Sequence, residues 1–134
     1  MIGLDTGFFV LLASGQPEAV HVWGQLIEGD AEACVSCITL LELERLGLKG
    51  ALPQYAVLCE GIRAVCKLVW IGSAELVSSA AKLSHGLGIP VADALILAGL
   101  LSEGAKTIYT TDKHLQEYRK KAVQIVNLKQ GPAR

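Results

Sequence analysis

The sequence is short of positive charge, of aromatic rings and of long uninterrupted apolar runs, and each shortage closes a class of function. Lys and Arg number 12 against 13 Asp and Glu, for a net charge of −1. The chain as a whole therefore has no electrostatic footprint for nucleic acid, and such a ligand would need a local basic patch and a metal. Aromatic residues make up 5%, too few for base stacking to dominate binding. The longest apolar run, Val91–Leu101, contains Asp93 and is too short to span a bilayer. The opening MIGLDTGFFVLLASG has no basic leader and carries Asp5 in its middle, unlike a secretory signal. A cytoplasmic protein is expected. A second C-x-x-C is missing too. Cys34 and Cys37 stand alone, in an apparent strand where residues three apart face opposite ways. With Cys59 and Cys66 they read as buried free thiols.

Apolar side chains, in contrast, are plentiful. They form 51% of the 134 residues, enough for one domain with a sizeable core and an apolar subunit interface. Short β-type runs alternate with helical stretches. Strands are predicted at Ile2–Asp5, Ala33–Ile38, Leu68–Ile71, Lys106–Thr111 and Val123–Asn127. Helices are predicted at Thr6–Ala13, from Pro17 to near Gly29, at Leu40–Leu48, from Pro53 to Lys67, at Ser73–Leu87 and at Val91–Glu103. A short one is predicted near Lys113–Lys120. This alternation predicts an α/β protein with a parallel sheet between helices. The Gly131–Pro132 end reads as a loose tail.

Four carboxylates fall where strands give way to helices: Asp5, Glu42, Asp93 and Asp112. Ligands of open α/β sheets bind beyond the carboxyl ends of the strands, at the switch in strand order. If the strands that precede Asp5 and Asp112 flank that switch, both acids enter one crevice, with Glu42 and Asp93 at the same end. Carboxylates gathered in this way repel unless a divalent cation neutralises them. Plain capping is the competing explanation. Asp5 and Asp112 could be N-caps, and Thr39 with Glu42 has capping-box spacing. Asp93, within Pro-Val-Ala-Asp-Ala-Leu-Ile-Leu-Ala, belongs to a helix that reads as buried, where a carboxylate needs a partner. Glu44 competes with Glu42, and only one of the two can face the crevice.

The ordered segments resemble the PIN-domain nucleases, and within them the toxins of the VapBC type. Ile2-Gly3-Leu4-Asp5-Thr6, Val35 to Leu43, Ile89 to Ala98 and Tyr109 to Leu115 look like the family's four motifs, at similar spacing. The second of these favours Glu42 over Glu44. The resemblance implies a three-layer α/β/α PIN-like domain over residues 1–130, with a five-stranded sheet in the order 3-2-1-4-5 and a flexible tail at 131–134. It further implies a Mg²⁺- or Mn²⁺-dependent ribonuclease, dimerisation, and a small antitoxin protein as partner. Two departures stand out. Gly7 occupies a position where the family commonly has a small polar residue. His114 stands where some members carry a further acid, so one metal is favoured over two.

On this reading Asp5, Asp93 and Asp112 hold the metal, with Glu42 completing the catalytic set. Thr6 and Thr110 are auxiliary hydroxyls. Arg45, Lys49 and Lys113 are candidates for RNA phosphates, with Arg119, Lys120 and Lys121 as a basic cluster further off. His21, His85 and His114 read as structural or solvated. A catalytically silent PIN-fold module, binding RNA or protein, is the alternative. A remoter one is a dimeric aspartic protease, from the single Asp5-Thr6-Gly7, which would require a nearly all-β chain.

Overall fold

The structure is a computed structural model, and it describes residues 1–120 and 122–129. Lys121 and the predicted tail at 131–134 lie outside the described residues. Strands β1 (Ile2–Leu4), β2 (Ala33–Ser36), β3 (Lys67–Val69), β4 (Thr107–Thr110) and β5 (Gln124–Asn127) alternate with helices. The helices are α1 (Thr6–Ala13), α2 (Pro17–Ile27), α3 (Cys37–Leu48), α4 (Tyr55–Val65), α5 (Ala74–Leu87) and α6 (Val91–Ser102). A 3-10 helix occupies Lys113–Glu117. None of the described helices is long and apolar enough to cross a membrane.

The five strands form one parallel sheet in the order β3-β2-β1-β4-β5. This is the predicted three-layer α/β/α arrangement. Parallel neighbours need long crossovers, and the helices that supply them divide between the faces. Phe8, Phe9, Val22, Leu43 and Ile62 pack one face, from α1 to α4. Leu76, Leu97, Leu100 and Ile108 pack the other, beneath α5 and α6. Helix α6 is apolar on nearly every side, because it is wedged between the sheet, α3 and α5. Gly3 lets it approach β1: a Cβ there would lie 3.0 Å from the Leu100 side chain. Six α-helices and an all-parallel sheet also remove the ground for the aspartic-protease reading.

The junction of β2 and α3 differs from its prediction. The strand stops at Ser36, whose hydroxyl caps α3 by accepting from the Ile38 N–H at 3.1 Å. Cys37 and Ile38 are therefore helical, since a short apolar run fits a strand or a buried helix equally well. Two consequences follow. Thr39 is buried inside the helix and is no N-cap, so the capping-box explanation of Glu42 fails. Cys34 and Cys37 lie in different elements, and the four cysteines are free thiols. Only Cys34 is fully buried, and the other three are half-buried.

Candidate metal centre

The carboxyl ends of β1 and β4 lie side by side where the strand order switches, and the acidic residues gather there. Asp5 follows β1 directly and caps α1, its Oδ1 accepting the Phe8 N–H at 3.0 Å. Its Oδ2 accepts a short hydrogen bond from the Thr110 hydroxyl, at the end of β4. Thr110 Oγ1 in turn accepts the Asp112 N–H at 2.8 Å. One buried threonine thus joins the two strand ends. Asp112 caps the 3-10 helix, its Oδ1 receiving the His114 N–H and His114 Nδ1, each at 2.8 Å. The capping explanation is correct for both aspartates, and it supplies the means by which their carboxylates are aimed.

Glu42 reaches the same place from the second turn of α3. Its Oε1 accepts the Thr6 hydroxyl at 2.5 Å, and Thr6 Oγ1 lies 3.2 Å from Thr39 Oγ1. Asp93, in the first turn of α6, is hydrogen-bonded to Asp112. Its Oδ2 lies 3.9 Å from His114 Nδ1. Asp5, Thr6, Gly7, Glu42, Asp93, Thr111 and Asp112 line one cleft of about 180 Å³, floored by Ile96 and Leu115. Glu44 is exposed and lines a different surface, with Tyr55 and Arg63.

The electrostatics show how costly this gathering is. Burial pushes the Asp5 carboxyl up to about 6, against its hydrogen bonds from Thr110 and Phe8, and the charges of Asp112 and Glu42 add to the rise. Asp93 is also raised, by burial first and then by its hydrogen bond with Asp112. Burial acts on Asp112 in the same direction, but the hydrogen bonds from Asp93 and His114 outweigh it and hold this carboxyl low. The hydrogen bond between Asp93 and Asp112 pushes the two carboxyls in opposite directions, Asp93 up and Asp112 down. A divalent cation would offset the negative charge gathered here. The donor set fits one: Asp93, Asp112 and His114 each offer a ligand atom, all within 4.8 Å of one another. Asp5 and Glu42 stand across the same cleft.

The four predicted carboxylates and Thr6 therefore line the cleft, and Thr110 lies fully buried behind Asp5. Arg45 and Lys49 do not line it. Each residue of a helix advances about 1.5 Å, so Lys49, at the C-cap of α3, sits roughly 10 Å further along the axis than Glu42. Lys113 is exposed beside Asp112. Two members escaped the sequence reading. His114 is a partner of both Asp112 and Asp93 rather than a solvated helix residue. Thr111 fills the space beside Gly7, where a Cβ would come within 1.8 Å of Thr111 Oγ1. The departure at Gly7 was the available signal: a second hydroxyl has taken the room that a side chain there would need.

An α/β sheet with carboxylates converging at its switch point defines a class of acidic-cleft protein. The PIN-domain sequence profile matches residues 2–121, and the chain belongs to the PIN-domain family. Among solved structures it is similar to VapBC2 from Rickettsia felis, determined on a DNA fragment from its promoter. Identity is 21%, over 93% of this chain and 97% of that one, with a TM-score of 0.70. VapC20 from Mycobacterium tuberculosis, a toxin that cleaves the sarcin-ricin loop, has 20% identity, over 90% of this chain and 100% of its own, with a TM-score of 0.65. FitAcB from Neisseria gonorrhoeae has 25% identity, over 95% and 97%, with a TM-score of 0.60. The search of curated proteins found no match.

Proposed function

We propose that the protein is a metal-dependent ribonuclease that hydrolyses RNA phosphodiester bonds, with Mg²⁺ or Mn²⁺ held by Asp5, Asp93 and Asp112. The observation that carries this reading is the convergence of four carboxylates, from β1, α3, α6 and the turn after β4, on one cleft. A divalent cation bound there would make a coordinated water more acidic and offset the charge that builds on the phosphate.

The chain's own groups set the geometry. Thr110 and the Phe8 N–H each fix one oxygen of Asp5, so its carboxylate cannot rotate away. Thr6 fixes Oε1 of Glu42, and Oε2 is left to accept a proton from water in the cleft. Ile96 and Leu115 close the floor, and the low dielectric strengthens every interaction above them. No covalent nucleophile is required.

The same proposal makes the protein the toxin of a toxin–antitoxin pair. Its support is the likeness to toxin–antitoxin complexes from Klebsiella pneumoniae and nontypeable Haemophilus influenzae. A homodimer and a cytoplasmic location belong to this reading as well. Exposed Ile71, ahead of α5, with Val77 of α5 and Val91 of α6 borders an apolar groove of about 560 Å³, which favours self-association.

RNA cleavage with and without EDTA is the direct test. Wild type should cleave only when Mg²⁺ or Mn²⁺ is present, and Asp5→Asn and Asp93→Asn should be inactive. Full activity in either variant defeats the ligand assignment. Calorimetry with Mn²⁺ separates a nuclease from a silent module, which would show no saturable site.

A further inference from the structure

A second cavity, of about 580 Å³, opens on the other side of Thr111 and Asp112. Its remaining walls are Lys113, His114, Asn127 and Lys129. Thr111 and Asp112 belong to both cavities and form the sill between them. The groove thus continues the acidic cleft across the carboxyl ends of β4 and β5, where Thr110 and Asn127 are paired in register.

Its chemistry is the opposite of the cleft's. Lys113 and Lys129 have no ion-pair partner among the described residues. Asn127 Oδ1 accepts the Lys129 N–H at 2.9 Å, so that the Asn127 side-chain amide N–H groups remain as donors with no acceptor among the described residues. His114 is anchored through Nδ1 to Asp112. Two free ammonium groups and an amide donor against an acidic neighbour suit an anionic polymer, whose charge the cleft alone would repel. In a chain of net charge −1, such a groove supplies local attraction beside the cleft.

We propose that the groove holds the RNA backbone next to the bond being cleaved, with Lys113 and Lys129 each on a phosphate of its own and the strand crossing the sill at Thr111. The proposal rests on the ribonuclease reading, since it fixes where the substrate runs on leaving the cleft. Its test does not depend on cleavage. Binding of a short fluorescent single-stranded oligoribonucleotide is measured by anisotropy in Mg²⁺, over a range of salt, on the Asp5→Asn protein. Adding Lys113→Ala and Lys129→Ala should weaken binding and flatten the plot of log K against log salt by about 1.4, roughly 0.7 for each phosphate contact on a single strand. Lys106→Ala, at the opposite end of β4, should leave the slope as it was. An unchanged slope and affinity in the double-lysine variant, or no binding by the Asp5→Asn protein at all, overturns the groove. Absence of metal-dependent cleavage by wild type would instead strike the ribonuclease reading, whatever the slope shows.

Discussion

The two walls of the acidic cleft are built differently. On the β1 side, Asp5 is 5% exposed, and each of its oxygens has a fixed donor from a different element. On the other side, Asp112 and His114 have side chains 28% and 45% exposed, at the N-cap and within a short 3-10 helix. One wall has its carboxylate buried and fixed by two other elements, whereas the other, anchored through buried Leu115, leaves its carboxylate and imidazole partly open to solvent. A metal site so made has a rigid half that sets position and an open half that admits substrate. Substitutions should therefore separate the walls by what they cost.

Breaking the buried wall should have the largest effect. Thr110→Val removes the donor to Asp5 and the acceptor of the Asp112 N–H together. Stability should fall by about 1–3 kcal/mol, the penalty for buried polar groups left unpaired. Affinity for Mn²⁺ should fall roughly 10–100-fold, as for other groups that orient ligands. Calorimetry and thermal unfolding measure both, and a Thr110→Val protein indistinguishable from wild type would erase the contrast between the walls. His114→Ala is the counterpart on the open wall. Its stability cost should stay under about 1 kcal/mol, as for exposed ion pairs, although Mn²⁺ affinity should drop.

Next in size is the contact across the mouth. Gly7→Ala should cost about 1–3 kcal/mol through overpacking against Thr111. Thr111→Gly should recover most of that loss in a double-mutant cycle, and strict additivity would mean that the two positions do not meet.

The pH dependence of the metal-free protein sharpens the comparison further. Asp5 titrates at about 6 when folded, above its ordinary 3.8, and Asp93 is raised as well. The folded state keeps these protons longer than the unfolded chain does, so stability is full below about 4 and declines as pH climbs through about 6. The lowered Asp112 acts in the opposite sense at more acidic pH. Thermal unfolding in EDTA should thus give a higher midpoint at pH 5 than at pH 8, and Mn²⁺ at pH 8 should restore it. A midpoint that rises from pH 5 to pH 8 in EDTA contradicts the raised carboxyls.

The smallest effect concerns residues away from both walls. Burial pushes the Cys34 thiol up to about 11 and that of Cys66 to about 12. Both should resist alkylation at pH 8 in the folded protein and react on unfolding, as mass spectrometry can follow.

Most of the architecture was legible because apolar runs and their breaks alternate so regularly. All five strands and six helices were expected close to where they lie. The β2–α3 junction was misread because Cys37 and Ile38 suit either element, and the side-chain cap at Ser36 that decides it is not an apolar signal. The four acids were legible as residues at strand ends. Their supports were less so. His114 acts through a ring nitrogen whose reach depends on the bend after β4, and Thr111 matters only because Gly7 is folded against it. Lys49 is close to Glu42 in sequence, but the axial rise of α3 carries it away from the cleft, and Arg45 does not line it either. Asn127 and Lys129 show the reverse, being distant in sequence from Asp112 yet at the end of β5 and in the turn after it.

The hydrogen bond between Thr110 and Asp5 joins residues 105 positions apart in the chain. At translation rates of roughly 5–20 residues per second, Asp5 is made roughly 5–20 s before the group that orients it. Strand β1 lies between β2 and β4, and its β4 side stays open throughout that interval. A nascent or truncated polypeptide that ends before β4 therefore carries three of the acids without a centre to hold them. Whatever chemistry the finished molecule performs thus waits on β4 and the turn after it.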